Sequence, residues 1–286
     1  MLIFLYLFLI GLAAGLIGSI IGIGGGIIIV PFLSLALKVP IHIAIGTSII
    51  AVLMTSLTAS RIFLKKNTTN IELGLTLEIP TTFGGIIGSI AVAYLKNKVL
   101  FIIFGCFAIS AGIFTYFKNT YFQNKNQREN ITTTQEINTS KDSIFDSKYY
   151  DETTGKAYKY KVKNVLYGSI ASLFAGLSSG LLGVGGGVIK VPAMNIFMNV
   201  PIKVATATSN YMIGITAVVS SIIYFYNGYI NPFITIPVVI GVLIGATTGS
   251  FTAEKLKSSQ IVIIILTIFI AIGILMFLRA FNVIAY

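Results

Sequence analysis

The sequence is poor in charge and has almost none of the residues that build disulfides, metal sites and catalytic triads. Only 10% of its 286 residues are charged, and it has one Cys, one His and no Trp. Because soluble domains have roughly 25% charged residues, a water-soluble globular domain is excluded. The lone Cys106 cannot form a disulfide within the chain. We expect neither a metal site nor a cofactor, since the side chains that would bind one are too few.

Long hydrophobic runs take the place of charge. Hydrophobic residues make up 55% of the chain, and the mean hydropathy is +0.90. Runs without Asp, Glu, Lys or Arg include 1–37, 39–60, 99–117, 204–253 and 258–278. Most of these runs reach the ~20 residues with which a helix crosses a bilayer. The predicted fold class is an all-α polytopic membrane protein, located as a multi-pass protein in the plasma membrane.

The positive charge is not arranged as a nucleic-acid-binding surface. The net charge is +11, but nine of the 20 Lys and Arg residues, with six of the nine acids, lie in the single stretch 118–164. The other basic residues mostly flank hydrophobic runs. Nucleic-acid binding needs a clustered basic face, so we expect no nucleic-acid partner.

The chain contains an internal duplication. Residues 14–48 align with residues 175–209 without a gap, and 16 of the 35 aligned positions are identical. The same offset of 161 continues from Asn70 to Asn231 and from Ser89 to Ser250. A repeat of this length predicts two homologous halves with the same succession of helices.

Each half is predicted to have about five helical segments, some of them short or broken. They lie at 2–22, 24–37, 41–64, 73–95 and 99–117, and again at 165–184, 186–199, 204–226, 233–253 and 259–278. The domains are a first membrane repeat (1–117), a hydrophilic loop (118–164) and a second membrane repeat (165–286). The loop has few aliphatic residues, so we expect it to be largely disordered.

The basic residues predict that the two halves form an inverted repeat. The loop after the third segment has Arg61, Lys65 and Lys66, whereas the equivalent loop of the second half has no charge. Basic residues favour the cytoplasmic side, so these equivalent loops are expected on opposite faces of the membrane. An odd number of crossings per half gives this inversion and places the 118–164 loop in the cytoplasm.

A glycine triplet opens the short second segment of each half. The triplets are Gly24, Gly25 and Gly26, and Gly185, Gly186 and Gly187. A segment of about 14 residues gives ~21 Å of helix, which is too short to cross. The triplets are therefore expected inside the membrane, where irregular backbone lines a cavity or is buried in protein. Two helix N-termini facing a cavity would favour an anion; close helix packing is the alternative.

Lys190 is predicted near the membrane midplane. It lies ~16 Å along the helix from Pro201, which we place at the interface, and its counterpart in the first half is Ile29. A lysine at that depth costs at least ~2.5 kcal/mol and indicates a function; snorkelling to the interface is the alternative. We expect Lys190 to be the charged contact of an anionic substrate.

Hydroxyl and amide side chains lie at comparable depth on the following helix. They are Thr208, Ser209 and Asn210 in the second half and Thr47 and Ser48 in the first, where Ile49 replaces the asparagine. Their donors suit a partly desolvated oxyanion. Hydrogen bonding of the hydroxyls to the helix backbone is the alternative.

The acids outside the loop are Glu72, Glu78 and Glu254. None of them is an obvious partner of Lys190 in the sequence. Glu78 lies about one turn inside its segment, and we interpret it as an interfacial or capped acid. A carboxylate that couples a proton or cation to transport is the alternative for Glu78.

The two glycine segments share an extended motif. The copies read GIGGGIIIVP with AIGTS, and GVGGGVIKVP with ATATSN. This motif in two copies resembles the sulfite exporter TauE/SafE family, also called the 4-toluene sulfonate uptake permease family. The similarity covers both membrane halves. It implies an integral membrane transporter of sulfite, thiosulfate, sulfoacetate, a sulfonate or another small organic anion.

The expected function is transport of a small anion by alternating access around the two glycine turns. The expected partners are this anion and the lipid bilayer, with a proton or a sodium ion as alternative coupling ions. An anion channel or a non-transporting accessory subunit is the alternative function. We do not expect an enzyme, because one His, one Cys and three acids cannot assemble a triad or metal site. The sequence leaves the oligomeric state open.

Overall fold

The computed structural model describes residues 2–129, 144–151, 156–252 and 258–281. In the first half the helices are α1 (Leu2–Ile21), α2 (Gly26–Pro31), α3 (Ile41–Lys65), α4 (Ile71–Tyr94) and α5 (Asn97–Glu129). The second half repeats them as α6 (Val165–Leu182), α7 (Gly187–Pro192), α8 (Ile202–Tyr226), α9 (Pro232–Thr252) and α10 (Ser258–Ala280). The all-α membrane fold is thereby confirmed: six of the described helices are long and apolar enough to cross a membrane.

The two broken segments end for the same reason. α2 and α7 each reach a proline, Pro31 or Pro192, and continue as a five-residue π-helix, Phe32–Ala36 or Ala193–Phe197. Proline has no N–H to donate to the preceding turn, so regular α-helical bonding fails at that position. Each broken segment therefore begins at a glycine turn, changes from α-helix to π-helix at the proline, and ends before the next helix begins.

The outer faces of the helices expose apolar side chains, as expected for surfaces in contact with lipid. On α4 the exposed residues Leu75, Ile79, Phe83 and Ile87 recur every fourth position, which places them in one stripe along the helix. Phe233, Ile236 and Ile240 make a similar exposed stripe on α9, the counterpart of α4. Apolar stripes of this length in water would be an aggregation hazard, whereas in a bilayer they face lipid tails.

One helix of each half packs mainly on helices of the other half. Helix α4 of the first half packs on α6 and α8 of the second, and α9 of the second half packs on α1 and α3 of the first. The remaining large contacts pair α3 with its counterpart α8 and α5 with its counterpart α10. Each of these large contacts thus maps onto another, or onto itself, when the halves are exchanged. This reciprocal packing is compatible with the expected inverted repeat.

Part of the stretch between the repeats is folded, contrary to the expectation of a largely disordered loop. Helix α5 continues past residue 117 to Glu129, and the strands β1 (Ser147–Asp151) and β2 (Lys156–Tyr160) form an antiparallel hairpin. Aromatic side chains explain the folding, because Tyr160 and Val162 are buried in a cluster with Leu73 and Leu77 of α4. Residues 130–143 and 152–155 lie outside the described part of the chain.

Asn70 joins the hairpin to the helices. Its Oδ1 accepts a hydrogen bond from the N–H of Leu73 and so caps α4. Its Nδ2 donates to the carbonyl of Phe145 and to the hydroxyl of Tyr160, each at 2.9 Å. The hairpin therefore lies at the same end of the helical bundle as the turn between α3 and α4, the turn whose basic residues predict a cytoplasmic position.

Candidate transport site

The two glycine turns meet at the centre of the molecule. Gly25 and Gly186 precede α2 and α7 with φ angles of 80° and 72°, values in the left-handed region that glycine adopts without strain. Gly24 and Gly185 both face Val52 of α3. Each turn therefore aims the start of its short helix at the interface between the repeats.

The contact between the turns is reciprocal and close. A Cβ on Gly26 would overlap the carbonyl oxygen of Gly183, and a Cβ on Gly187 would overlap that of Gly22. Ser48 donates to the carbonyl of Gly183 at 2.7 Å. Its counterpart Ser209 donates to the carbonyl of Gly22 at 3.3 Å. Each half thus contributes one serine that ties its α3-type helix to the glycine turn of the other half.

Close packing accounts for the lack of a side chain at Gly26 and Gly187, because both residues touch the backbone of the opposite half. The triplets, Ser48 and Ser209 are brought together as the sequence analysis expected. Here they line a closed contact between the repeats. Any substrate that enters between the turns has to separate them and break the two serine hydrogen bonds.

Thr47 and Thr208 face away from the glycine turns. Thr47 shares a hydrogen bond of 3.2 Å with Thr235 of α9. Thr208 accepts a hydrogen bond of 3.0 Å from the N–H of Asn70. Both hydroxyls therefore hold helices of opposite halves together in this structure.

Asn210 has an unused acceptor at the buried interface of α3 and α8. The side-chain Nδ2 of Asn210 donates to the backbone carbonyl of Thr206 at 3.1 Å. The backbone carbonyl of Asn210 accepts a hydrogen bond from the hydroxyl of Ser56 on α3. Its Oδ1 is buried and has no hydrogen-bond partner among the described residues. A buried amide oxygen without a donor costs roughly 1–3 kcal/mol.

Lys190 is buried but does not stand alone. Its relative exposure is 1%, and its Nζ lies 3.4 Å from Oε2 of Glu78 on α4. The expectation that Lys190 lacks an acidic partner is therefore wrong. Glu78, which the sequence suggests is an interfacial or capped acid, has a relative exposure of only 4% and is this partner. The packing of α4 on α8, the helix that also contacts α7, explains the pairing, since it brings a residue of the first half to Lys190.

Hydroxyl groups complete the surroundings of the ion pair. Thr216 of α8 donates to Oε1 of Glu78 and lies 3.5 Å from Nζ of Lys190. Thr82, one turn along α4, donates to the same Glu78 oxygen at 3.3 Å. A buried carboxylate and ammonium with these additional donors form a neutral unit.

The sequence contains a signal for this pair that was missed. At the repeat offset, Lys190 corresponds to Ile29 and Glu78 to Val239. Both charged residues therefore replace apolar residues of the other half. Two opposite charges that each replace an apolar residue of the other repeat are candidates for a pair, because an isolated buried charge is far more costly than a paired one.

A duplicated, multi-pass helical bundle with broken helices at the repeat interface is an architecture found among membrane transporters. The chain matches the family model described as sulfite exporter TauE/SafE over residues 7–276. The protein therefore belongs to the sulfite exporter TauE/SafE family and is a membrane transporter of this type.

Two relatives agree with this assignment. The probable membrane transporter protein YunE of Bacillus subtilis (strain 168) is 29% identical over 277 residues, which cover 94% of this chain and 96% of that protein. The probable membrane transporter protein MJ0441 of Methanocaldococcus jannaschii is 25% identical over 243 residues, covering 81% of this chain and 78% of that protein. No solved structure matches the chain.

Proposed function

We propose that the protein carries a small anion across the membrane, a sulfur-containing oxyanion or an organosulfonate of the sulfite, thiosulfate or sulfoacetate type. The observation on which this depends is the buried ammonium of Lys190 at the start of a broken helix. A full positive charge beside a helix N-terminus attracts anions more strongly than the roughly +0.5 charge of the helix end alone. The family to which the chain belongs supports the same class of substrate.

The mechanism we propose is alternating access at the repeat interface. Ser48 and Ser209 each close one glycine turn against the other half, so a rocking of the halves breaks two equivalent hydrogen bonds. Three kinds of group then bind the anion. They are the two serine hydroxyls released from their carbonyl partners, the N–H groups that begin α2 and α7, and the side chain of Lys190. The buried Oδ1 of Asn210, which lacks a hydrogen-bond donor among the described residues, gains one when water or a donor group of the substrate enters. A carrier of this kind needs no catalytic group of its own.

A stability screen of the purified protein tests the proposal. Sulfite, thiosulfate, sulfate, sulfoacetate and methanesulfonate are added separately, and the melting temperature is recorded. We expect at least one of the sulfur anions to raise the melting temperature with a saturable dependence on concentration, because a ligand that binds the folded state stabilises it. Stabilisation by none of these anions would contradict the proposal and favour a non-transporting subunit.

Flux in proteoliposomes then separates a carrier from a channel. The stabilising anion is placed outside vesicles preloaded with the same unlabelled anion. With the membrane potential held at zero, a carrier transiently concentrates the labelled anion against its own gradient by exchange, whereas a channel only equalises the concentrations. Equalisation without transient accumulation would favour the channel.

A further inference from the structure

The Lys190–Glu78 pair is the part of the molecule that the transport of an anion leaves unexplained. Among the described residues of α1–α4 and α6–α9, the other charged side chains lie near helix ends. An anion site needs the lysine, but it does not need a carboxylate 3.4 Å from that lysine. The carboxylate repels an incoming anion, so its presence requires a separate explanation.

The duplication shows that the fold does not require the pair. At the same places in the other half, Ile29 and Val239 fill the positions of Lys190 and Glu78, and α9 packs on α3 there much as α4 packs on α8. Replacement of a buried ion pair by apolar residues is often neutral or stabilising. The pair is therefore retained at one of two equivalent positions for a reason other than stability.

We propose that Glu78 is the proton-binding group of the transporter and that it alternates with the substrate anion as the partner of Lys190. When a monoanion binds Lys190, the contact between Nζ and Oε2 breaks and the Glu78 carboxylate takes one proton from water. When the anion leaves, the carboxyl O–H ionises, the proton returns to water and the ion pair forms again. This inference rests on the proposed function, which supplies the anion.

Charge balance is the physical argument for one proton per monoanion. In the ion pair the charges of Lys190 and Glu78 sum to zero. With an anion on Lys190 and Glu78 still ionised, the buried site would hold an uncompensated negative charge, which is costly in a low-dielectric interior. Protonation of Glu78 restores a net charge of zero, so each monoanion binds together with one proton.

The groups around Glu78 fit this exchange. Lys190 of α7 is the charged residue that faces it, and Thr216 of α8 and Thr82 of α4 donate hydroxyl hydrogen bonds to its Oε1. On α6, the other helix packed against α4, the titratable residue is Tyr167, which is exposed. The two threonines hold the carboxyl group in place when Lys190 turns to the anion, and either hydroxyl can also accept a hydrogen bond from the O–H of a neutral carboxyl group.

A row of hydroxyl groups leads away from Glu78 along α8. Thr216, Ser220 and Tyr224 are four residues apart and share one buried face of that helix. The hydroxyl groups of Ser220 and of Ser89 on α4 are buried without a hydrogen-bond partner among the described residues, and Tyr224 donates to the carbonyl of Gly180. Buried hydroxyl groups on α8 therefore extend beyond the two threonines that contact Glu78.

The first half lacks this row. Its counterparts of Ser220 and Tyr224 are Ala59 and Phe63. Ser220 and Tyr224 therefore accompany the ion pair, whereas Thr216 and Ser89 have the hydroxyl counterparts Thr55 and Ser250 in the other half. That coincidence supports a shared role of the two features.

Isothermal titration calorimetry of the full chain in detergent tests the inference. Methanesulfonate and thiosulfate are the probes, because neither takes up a proton near neutral pH, and each titration is repeated in buffers with different heats of ionisation. For the parent protein we expect uptake of about one proton per bound methanesulfonate. Its affinity should fall about tenfold for each unit of rise in pH, as linkage of one proton requires.

The variant Glu78→Gln should bind methanesulfonate with no proton uptake and with an affinity that does not change with pH. The variant Glu72→Gln is the matched control, since Glu72 lies in the first turn of the same helix, and it should retain the full proton uptake. Binding by the parent protein without proton uptake would overturn the inference alone, and so would undiminished uptake by Glu78→Gln. The parent measurement decides even where Glu78→Gln does not fold. Binding of neither probe by the parent protein would contradict the proposed function and the inference together.

Discussion

Lys190 and Glu78 depend on each other energetically. Each is almost fully buried, and their charged groups lie 3.4 Å apart. Removing one partner of a buried pair leaves the other charge without compensation, and such changes cost about 3–5 kcal/mol. Removing both charges leaves no unpaired group.

Lys190→Met is therefore expected to lower the free energy of unfolding by about 3–5 kcal/mol, and the double variant Lys190→Met/Glu78→Gln to recover most of that loss. Thermal melting in detergent measures both effects. A single variant Lys190→Met that melts at or above the parent temperature would show that the two side chains do not interact as the structure has them.

A matched pair of threonines tests the surroundings of Glu78. Thr216 donates to the Glu78 carboxylate, whereas its counterpart Thr55 donates at 3.0 Å to the carbonyl of Ala51 in its own helix. A hydrogen bond to a charged group contributes about 1.5–3 kcal/mol. Thr216→Val should therefore lower the melting temperature clearly, and Thr55→Val should change it little. Equal effects of the two variants would mean that the Thr216 hydroxyl does not stabilise Glu78.

The sequence predicts one member of this site and not the other. The apolar run around Lys190 predicts a buried lysine, because the residue lies ~16 Å along the helix from Pro201 at the expected interface. Glu78 lies closer to the end of its segment, so its depth is ambiguous until the packing of α4 on α8 is known. That packing is a long-range contact between halves, and only the joint departure of Lys190 and Glu78 from the repeat points to it in the sequence.

Among the elements, the hairpin of β1 and β2 differs most from expectation. Its polar composition favours disorder, yet Tyr160 is buried against α4 and its hydroxyl accepts a hydrogen bond from Asn70. Burial also raises the pKa of Tyr160, so its hydroxyl group stays protonated in the neutral range. A few aromatic residues at alternate positions thus fold a segment whose average composition is hydrophilic.

Tyr160→Ala should release the hairpin from the helices. Truncation of a buried aromatic side chain costs about 3–5 kcal/mol, so amide hydrogen exchange over 147–162 should rise by a factor of about 100 or more. Lys159→Ala is the control, because Lys159 is exposed on the same strand, and exchange should remain at the parent rate. Unchanged exchange in Tyr160→Ala would mean that the buried tyrosine does not hold the hairpin.

For the glycine turns, the sequence predicts the break in the helix but not the packing partner of each turn. The triplets, the short helices after them and the following proline all predict a break inside the membrane, and α2 and α7 begin where that pattern places them. The choice between a lined cavity and close packing depends on what lies opposite. In the structure Gly26 faces Gly183 and Gly187 faces Gly22, a contact between halves that the sequence of either half does not contain.

At the scale of the whole molecule, the duplication predicts the helices and their order, and the exchanged packing of α4 and α9 is compatible with inversion. Inversion places the 118–164 stretch in the cytoplasm and the turn between α8 and α9 outside. Single cysteines at Ile144 and Asn227, in a background with Cys106→Ala because Cys106 is exposed, should then react with an impermeant reagent from opposite faces. Reaction of both from one face would refute the inverted arrangement.

The central claim is that Lys190 binds the transported anion, and uptake by the double variant Lys190→Met/Glu78→Gln tests it most directly. This variant lacks the charge but leaves no buried ion unpaired, so a loss of transport cannot be assigned to misfolding when its melting temperature matches the parent. Labelled thiosulfate and sulfite are followed into proteoliposomes preloaded with the unlabelled anion. The account predicts transient accumulation by the parent protein and no uptake above empty vesicles by the double variant. Uptake by the double variant at the rate of the parent would contradict it.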